Sequence, residues 1–226
     1  MSHPFSRRTG KVKASEIREL LKLTETKEII SFAGGLPAEE TFPVEEMKVI
    51  CEEVLLQYGV SSMQYAVTEG NTQLRKLICN IMEEKGCVCN QESVLVTSGS
   101  QQGLDLTAKV FIDEGDVILC ESPTYLSAIN AFRPFYPQFV EVEMDEDGIV
   151  PWDLEEKLKT YKNVKLLYTI PDYQNPTGIQ MSLERRKKII ALANQYDFLI
   201  LEDNPYGELN YNGKIIPPIK SFDTEE

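Results

Sequence analysis

The feature of the sequence that most constrains its fold is the stretch from Lys165 to Leu209. Two short apolar runs, residues 166–170 and 198–201, have the length and composition of buried parallel strands. The segment between them carries apolar residues at the spacing of one helical face. These residues are Ile189, Leu192, Ala193 and Tyr196. The pattern predicts a strand–helix–strand unit with a parallel pair of strands.

Each of these two strands ends in a polar, turn-rich segment, PDYQNPTG after the first and EDNPYG after the second. Ligands in open α/β sheets bind at the carboxyl ends of the strands. We therefore expect Asn175, Asp203 and Tyr206 to lie around one place. A single aspartate at a strand end is often only a structural cap, but three polar side chains on the same rim indicate a binding site.

The strand–helix alternation extends over the chain from about residue 93 and predicts a doubly wound sheet. Further strands are expected at Val94–Val96, Val117–Leu119 and Phe139–Val142. Further helices are expected at Ala14–Leu23, after Pro43, from about Glu69, from Gln101, from Pro123 and from Trp152. Leu104, Ala108 and Phe111 are expected to face inward, and Asn212-Gly213 predicts a hairpin turn.

The joint from Thr97 to Gln101 reads as strand, glycine turn and helix start. Exposed N–H groups and the helix dipole make such a joint a suitable anion site. The joint lacks the spacing of a dinucleotide fold or a P-loop, so the pattern alone leaves phosphate binding and an ordinary turn equally open. The Gly-Gly pair that includes Gly35 is by pattern an ordinary turn.

Composition excludes several classes of function. The chain of 226 residues has a net charge of −13 and a pI near 4.7, which argues against a nucleic-acid partner or an anionic membrane. No apolar run approaches the roughly 20 residues that cross a bilayer, and the basic start has no apolar region of a secretory signal behind it. Five scattered cysteines and the single His3 predict no metal site and reduced thiols in a cytoplasmic protein.

The segments Asn-Pro-Thr-Gly at 175–178 and Asp-x-Pro-Tyr at 203–206 resemble those of fold-type I aminotransferases, which depend on pyridoxal 5′-phosphate (PLP). The resemblance covers nearly the whole chain and is closest to the branch of 2-aminoadipate and kynurenine aminotransferases. It implies a three-layer α/β/α fold with a mostly parallel, incomplete sheet. Residues 1–42 would form an N-terminal arm and small-domain segment, and residues 43–226 a truncated cofactor-binding large domain.

The resemblance also implies a role for individual residues. Gly99, Ser100 and Gln101 would hold the cofactor phosphate, Tyr125 would stack on the ring, and Asp203 would face the pyridine nitrogen. Asn175 and Tyr206 would hydrogen-bond the 3-oxygen of the ring, and Asn175 and Gly35 would lie near the substrate. Tyr65 would reach the cofactor phosphate of a neighbouring subunit, which implies a homodimer with shared active sites.

The lysine that holds the cofactor as a Schiff base in this family is expected beyond Glu226. Lys220, the last lysine of the chain, reads as a solvated side chain in a polar loop. We therefore expect the N-terminal half of an aminotransferase that is inactive by itself, with no catalytic residue within the chain. Two alternatives stay open: a non-catalytic or regulator-type PLP-binding domain, and a PLP-dependent lyase of the same fold. The amino acid substrate is not determined.

Overall fold

A computed structural model describes residues 5–11, 35, 37–211, 213 and 215–224. The chain forms two compact units, Met1–Val12 together with Thr72–Glu226, and Lys13–Asn71. The predicted boundary between residues 42 and 43 stays a prediction. The predicted helix Ala14–Leu23 lies outside the described residues.

The described part of the smaller unit consists mainly of one helix, α1 (Val44–Ser62), which begins directly after Pro43 as predicted. A short 3-10 helix, Glu39–Thr41, precedes it. Five apolar side chains that recur along α1 are all exposed in the single chain. They are Val44, Met47, Ile50, Cys51 and Val54.

The larger unit is built on a four-stranded parallel sheet. Its strands are β1 (Val117–Glu121), β2 (Gln138–Val142), β5 (Val164–Thr169) and β6 (Leu199–Glu202), and they lie side by side in the order β2-β1-β5-β6. A small antiparallel pair, β3 (Met144–Asp145) and β4 (Gly148–Ile149), flanks a two-residue turn at Glu146 and Asp147. The helices are α2 (Thr72–Glu84), α3 (Ser100–Phe111), α4 (Leu126–Phe132), α5 (Pro151–Thr160) and α6 (Leu183–Tyr196).

Helices cover both faces of this sheet because successive strand residues alternate between two apolar cores. On one face Ile118 and Tyr168 pack with Leu104 of α3 and Phe132 of α4. On the other face the core contains residues of β1 and β5 together with α5 and α6. Its central members are Leu119, Leu167, Leu154, Leu158, Ile189 and Leu192. The predicted three-layer α/β/α fold with a parallel sheet is confirmed.

Several local predictions differ from the structure. Residues 94–96 form no strand, because they pair with no other strand of the described residues. Phe111 is half exposed rather than inward, since it is the last residue of α3. Helix α4 begins at Leu126, later than Pro123, which follows a cis peptide bond. The predicted hairpin turn lies partly outside the described residues, and residues 208–211 form no strand.

Four more short 3-10 helices connect the elements: Arg7–Lys11, Gln91–Ser93, Arg133–Phe135 and Ile219–Phe222. No helix in the described part of the chain has the length and apolar character to cross a bilayer. The described residues also contain no group of three or more histidine, cysteine, aspartate or glutamate side chains that could hold a metal ion.

Candidate functional site

The carboxyl ends of β1, β5 and β6 form one rim of the sheet. Thr169, the last residue of β5, lies opposite Glu202, the last residue of β6. The next residue, Asp203, donates its backbone N–H to the Thr169 carbonyl oxygen at 2.9 Å. The parallel pairing therefore places Asp203 directly beside the polar segment that follows β5, as the two sequence segments predicted.

The carboxylate of Asp203 is held by a tyrosine that the sequence reading did not identify. The Tyr168 hydroxyl donates to Asp203 Oδ2 at 2.8 Å. Tyr168 is fully buried, and its ring stands edge-on to Phe132 with 5.8 Å between the ring centroids. Burial and the neighbouring Asp203 charge raise the pKa of Tyr168. The phenol thus remains a donor, and Oδ1 of Asp203 accepts no hydrogen bond from the described residues.

Asn175 and Tyr206, which lie 31 residues apart in the sequence, are brought into contact. Asn175 Nδ2 lies 3.3 Å from the Tyr206 hydroxyl, and both side chains are half-buried. Tyr206 follows β6 by four residues and Asn175 follows β5 by six. Two donors from two neighbouring strand ends therefore point into the same region of the rim.

The glycine turn that leads into α3 has the open geometry of an anion site. Gly99 has a φ of 83°, which favours glycine, and a Cβ at this position would meet no atom within 4 Å. The Thr97 hydroxyl donates to the Gly99 carbonyl oxygen at 3.0 Å. Ser100 is the first residue of α3, so the positive end of the helix dipole faces this turn.

The glycine turn is connected to the element that carries Tyr125. Gln101 Nε2 donates to the Ser127 carbonyl oxygen at 3.4 Å, and Ser127 is the second residue of α4. Because the predicted helix from Pro123 begins only at Leu126, Tyr125 directly precedes α4 instead of lying within it. Its ring is half-buried against the core that includes Tyr168. One part of the Tyr125 ring thus packs against the core, and another part is accessible to solvent or to a ligand.

Glu121, the last residue of β1, is a buried carboxyl group that the sequence reading overlooked. Its side chain accepts hydrogen bonds from Thr169 Oγ1 at 2.5 Å and from Gln174 Nε2 at 2.9 Å. Burial raises its pKa to about 7, with a smaller contribution from the charge of Asp203. The available signal was a charged residue at the end of the apolar run VILCE, where the pattern predicts another apolar residue.

Asp172 and Arg186 form a second buried polar cluster. Their side chains make a salt bridge of 2.6 Å with almost no exposure. Arg186 also donates to the carbonyl oxygens of Pro171, Met181 and Pro217. Because the guanidinium group is saturated by protein acceptors, we assign this pair a structural role in holding the loop after β5.

The remaining candidates lie away from these contacts or in the smaller unit. Tyr65 and Gly35 belong to the smaller unit, and both are exposed, Tyr65 completely. Lys220 lies on the 3-10 helix Ile219–Phe222 rather than in a loop. Its side chain is 57% exposed, and its Nζ lies 2.7 Å from Asp223 Oδ2. As the sequence indicated, Lys220 is a solvated lysine.

The fold and the polar rim place the chain among the α/β proteins that bind a ligand at the carboxyl ends of parallel strands. The family model "Aminotransferase class I and II" matches residues 27–225. The chain therefore belongs to this aminotransferase family, as its two motifs predicted.

Relatives with an assigned name support the same family. The chain is 50% identical to aromatic-amino-acid aminotransferase 1 of Thermococcus litoralis, covering 98% of this chain and 54% of that protein. It is 41% identical to 2-aminoadipate transaminase of Thermus thermophilus, covering 96% of this chain and 53% of that one. The chain thus spans about half the length of the curated relatives that it matches.

Among solved structures, the kynurenine aminotransferase of Pyrococcus horikoshii in complex with PMP superimposes with a TM-score of 0.91 and 44% identity. The match covers 98% of this chain and 56% of that one. A Thermus thermophilus α-aminoadipate aminotransferase, complexed with N-(5′-phosphopyridoxyl)-L-leucine, gives 0.86 and 40%, covering 96% of this chain and 53% of that one. The cofactor indicated by this family is pyridoxal phosphate.

The side chains on the rim fit such a cofactor. A pyridine nitrogen requires a carboxylate, and Asp203 has one oxygen held by Tyr168 and the other without a described donor. A ring hydroxyl requires hydrogen-bonding partners, which the side chains of Asn175 and Tyr206 can offer. A phosphate requires free N–H groups, which the open Gly99 turn at the start of α3 can offer.

Proposed function

We propose that this chain is the cofactor-binding part of a PLP-dependent aminotransferase, which moves an amino group between an amino acid and a 2-oxo acid. The observation that carries the proposal is the convergence of Asp203, Asn175 and Tyr206 on one rim of a parallel sheet. The family match and the named aminotransferase relatives support it. The proposed activity belongs to the whole protein, because the chain spans about half of those relatives.

The bound cofactor would supply an electron-withdrawing ring that stabilises negative charge on the substrate carbon. Asp203 would hold a proton on the ring nitrogen, since a carboxylate at that atom stabilises the charged form. Tyr168 keeps this carboxylate in place by its 2.8 Å hydrogen bond. Asn175 and Tyr206 would orient the ring through its 3-oxygen, and Tyr125 would cover one face of the ring.

The phosphate of the cofactor would bind at Gly99, Ser100 and Gln101. The positive φ of Gly99 allows the backbone to approach an anion closely. The positive end of the α3 dipole stabilises that charge. The residues that would bind the phosphate are therefore distinct from those that would contact the ring, which follow the ends of other strands.

We further propose a cytoplasmic homodimer in which Tyr65 contacts the phosphate bound by its partner. Its complete exposure in the single chain is consistent with a side chain that acts across an interface. Gly35 and Asn175 would lie near the substrate carboxylate. Five cysteines without a disulfide are typical of a reducing compartment. The family's lysine is expected outside these residues.

The proposal can be tested with pyridoxine 5′-phosphate, a cofactor analogue without an aldehyde that needs no lysine for binding. Titration followed by fluorescence or equilibrium dialysis should show one saturable site per chain. Asp203→Asn should weaken binding by about tenfold or more, because it removes the charge that faces the ring nitrogen. The matched control, Asp197→Asn, changes an exposed aspartate in an αL position and should bind as the unmodified chain does. Absence of saturable binding would refute the proposal.

Experiments on the whole protein distinguish the aminotransferase from the two alternatives, a lyase and a regulator. A lyase would release its product without a 2-oxo acid acceptor, whereas an aminotransferase carrying these residues requires the acceptor. A regulator of Bacillus subtilis, described as HTH-type, is 31% identical over 88% of this chain. Specific DNA binding by the whole protein would favour that alternative. The net charge of −13 favours the enzyme.

A further inference from the structure

A buried hydrogen-bond network joins the two loops that carry Tyr125 and Asn175. Its first member is Glu121, whose side chain is 1% exposed. The carboxyl group accepts from Thr169 Oγ1 at 2.5 Å, from the Ile170 N–H at 3.2 Å and from Gln174 Nε2 at 2.9 Å. Glu121 ends β1, whereas its three donors all come from β5 and the loop that follows it.

The second member, Gln174, uses the whole hydrogen-bonding capacity of its side-chain amide. Besides its bond to Glu121, Nε2 donates to the Pro123 carbonyl oxygen at 2.7 Å. Oε1 accepts from the Thr177 backbone N–H at 2.9 Å and from the Thr177 hydroxyl at 2.7 Å. Since two donors and two acceptor positions are all filled, the orientation of this amide is determined by its surroundings.

The network spans the two loops next to the candidate site. Pro123 lies two residues before Tyr125, and Thr177 lies two residues after Asn175. Gln174 directly precedes Asn175. Resting on the function proposed above, we propose that Glu121 and Gln174 are positioning residues that set the spacing between Tyr125, on the cofactor face, and Asn175, at the cofactor 3-oxygen.

A network that only filled the core would be better built from apolar side chains. Burying a carboxyl group is unfavourable without full compensation, and here burial raises the pKa of Glu121 to about 7. Local costs of this kind are expected where a site must be held in one geometry. The glycine turn at Gly99 has its own hydrogen bond from Thr97, so phosphate binding there does not depend on Gln174.

The test compares two ligands on the 226-residue chain, inorganic phosphate and pyridoxine 5′-phosphate. Gln174→Met removes all four side-chain hydrogen bonds at nearly constant volume. We expect about tenfold or greater weakening for pyridoxine 5′-phosphate, because Tyr125 and Asn175 lose their relative placement. Affinity for inorganic phosphate should change by less than about twofold. Loss of folded protein alone would lower the apparent affinity for both ligands by the same factor.

The control is Gln180→Met, which removes another half-buried amide, one that donates to Asp172 Oδ1 at 3.0 Å. It should lower both affinities equally or not at all. If circular dichroism shows that Gln174→Met does not fold, Thr177→Val replaces it in the test. This variant removes one of the four hydrogen bonds of Gln174. It should likewise weaken binding of pyridoxine 5′-phosphate and leave the affinity for inorganic phosphate unchanged.

The outcomes distinguish the two proposals. If the unmodified chain binds neither ligand, the proposed function fails. If it binds both and Gln174→Met or Thr177→Val keeps the same ratio of affinities, the function stands and the positioning role is refuted. A selective loss of the pyridoxine ligand supports both.

Discussion

The stability of this protein should depend on pH through Glu121. Glu121 is the last residue of β1, and its side chain is 1% exposed. It lies against the loop that follows β5. Burial raises its pKa from 4.5 to about 7, and the nearby Asp203 charge adds to the increase. Tyr168, which faces the same region, stays protonated because its own pKa is raised. Between pH 4.5 and about pH 7, Glu121 therefore holds a proton in the folded protein that it has released in the unfolded chain.

The sign and size of the effect follow from this difference. The contribution of Glu121 is complete below about pH 4.5, where both states are protonated, and it decreases as the pH rises towards 7. Each pH unit corresponds to about 1.4 kcal/mol. The rise from 4.5 to about 7 is therefore equivalent to about 3 kcal/mol of unfolding free energy, lost over this interval.

Urea unfolding followed by circular dichroism at pH 5, 6, 7 and 8 and constant ionic strength measures this loss. Glu121→Gln has no proton to release. The unfolding free energy of the unmodified chain minus that of this variant should therefore fall by about 2.5 kcal/mol between pH 5 and pH 8. Glu146→Gln removes an exposed carboxylate and serves as the control for net charge. Parallel pH profiles for the unmodified chain and Glu121→Gln would refute the reasoning.

Three further outcomes are expected. Tyr168→Phe should lower the unfolding free energy by about 1–3 kcal/mol in urea titration, because Asp203 loses its hydroxyl donor. Arg186→Met should lower it by about 3–5 kcal/mol, because a buried carboxylate loses its only ion-pair partner in the described structure. Oxidised glutathione should link Cys79 to Cys89, whose sulfurs lie 3.2 Å apart: the two thiols lose two hydrogens, two glutathione thiols are released, and mass spectrometry detects one disulfide. Cys79→Ser should form no disulfide under the same treatment, and a variant that still loses two hydrogens through a disulfide of Cys89 with another cysteine would contradict the assignment.

The parts of the fold that were predicted are those encoded by local periodicity. The apolar face of α6 was identified from its spacing, and Ile189, Leu192 and Ala193 are buried as expected. The two strands around α6 were placed within one or two residues. Residues 94–96 show the limit of prediction from periodicity. A strand needs a hydrogen-bonding partner strand, and these residues have none among the described residues.

The candidate site was predicted only where residue type and motif coincide. Asn175 and Tyr206 were expected together, and they are in contact at 3.3 Å. Tyr168 was read as a strand residue, since an aromatic side chain in an apolar run is typical of a core. Its hydroxyl partner, Asp203, lies 35 positions further along the chain, and nothing in the local pattern indicates that contact.

The sequence by itself determined the class of fold and predicted the rim where a ligand is expected, because hydrophobic periodicity specifies strands and helices and parallel strands bring their carboxyl ends to one rim. Only the tertiary structure decided which side chains hold that rim in place. Glu121 and Gln174 lie 53 positions apart, and their contact exists because β1 and β5 are paired neighbours in the parallel sheet. Hydrogen bonding over such separations depends on packing, and no local signal in the chain records it.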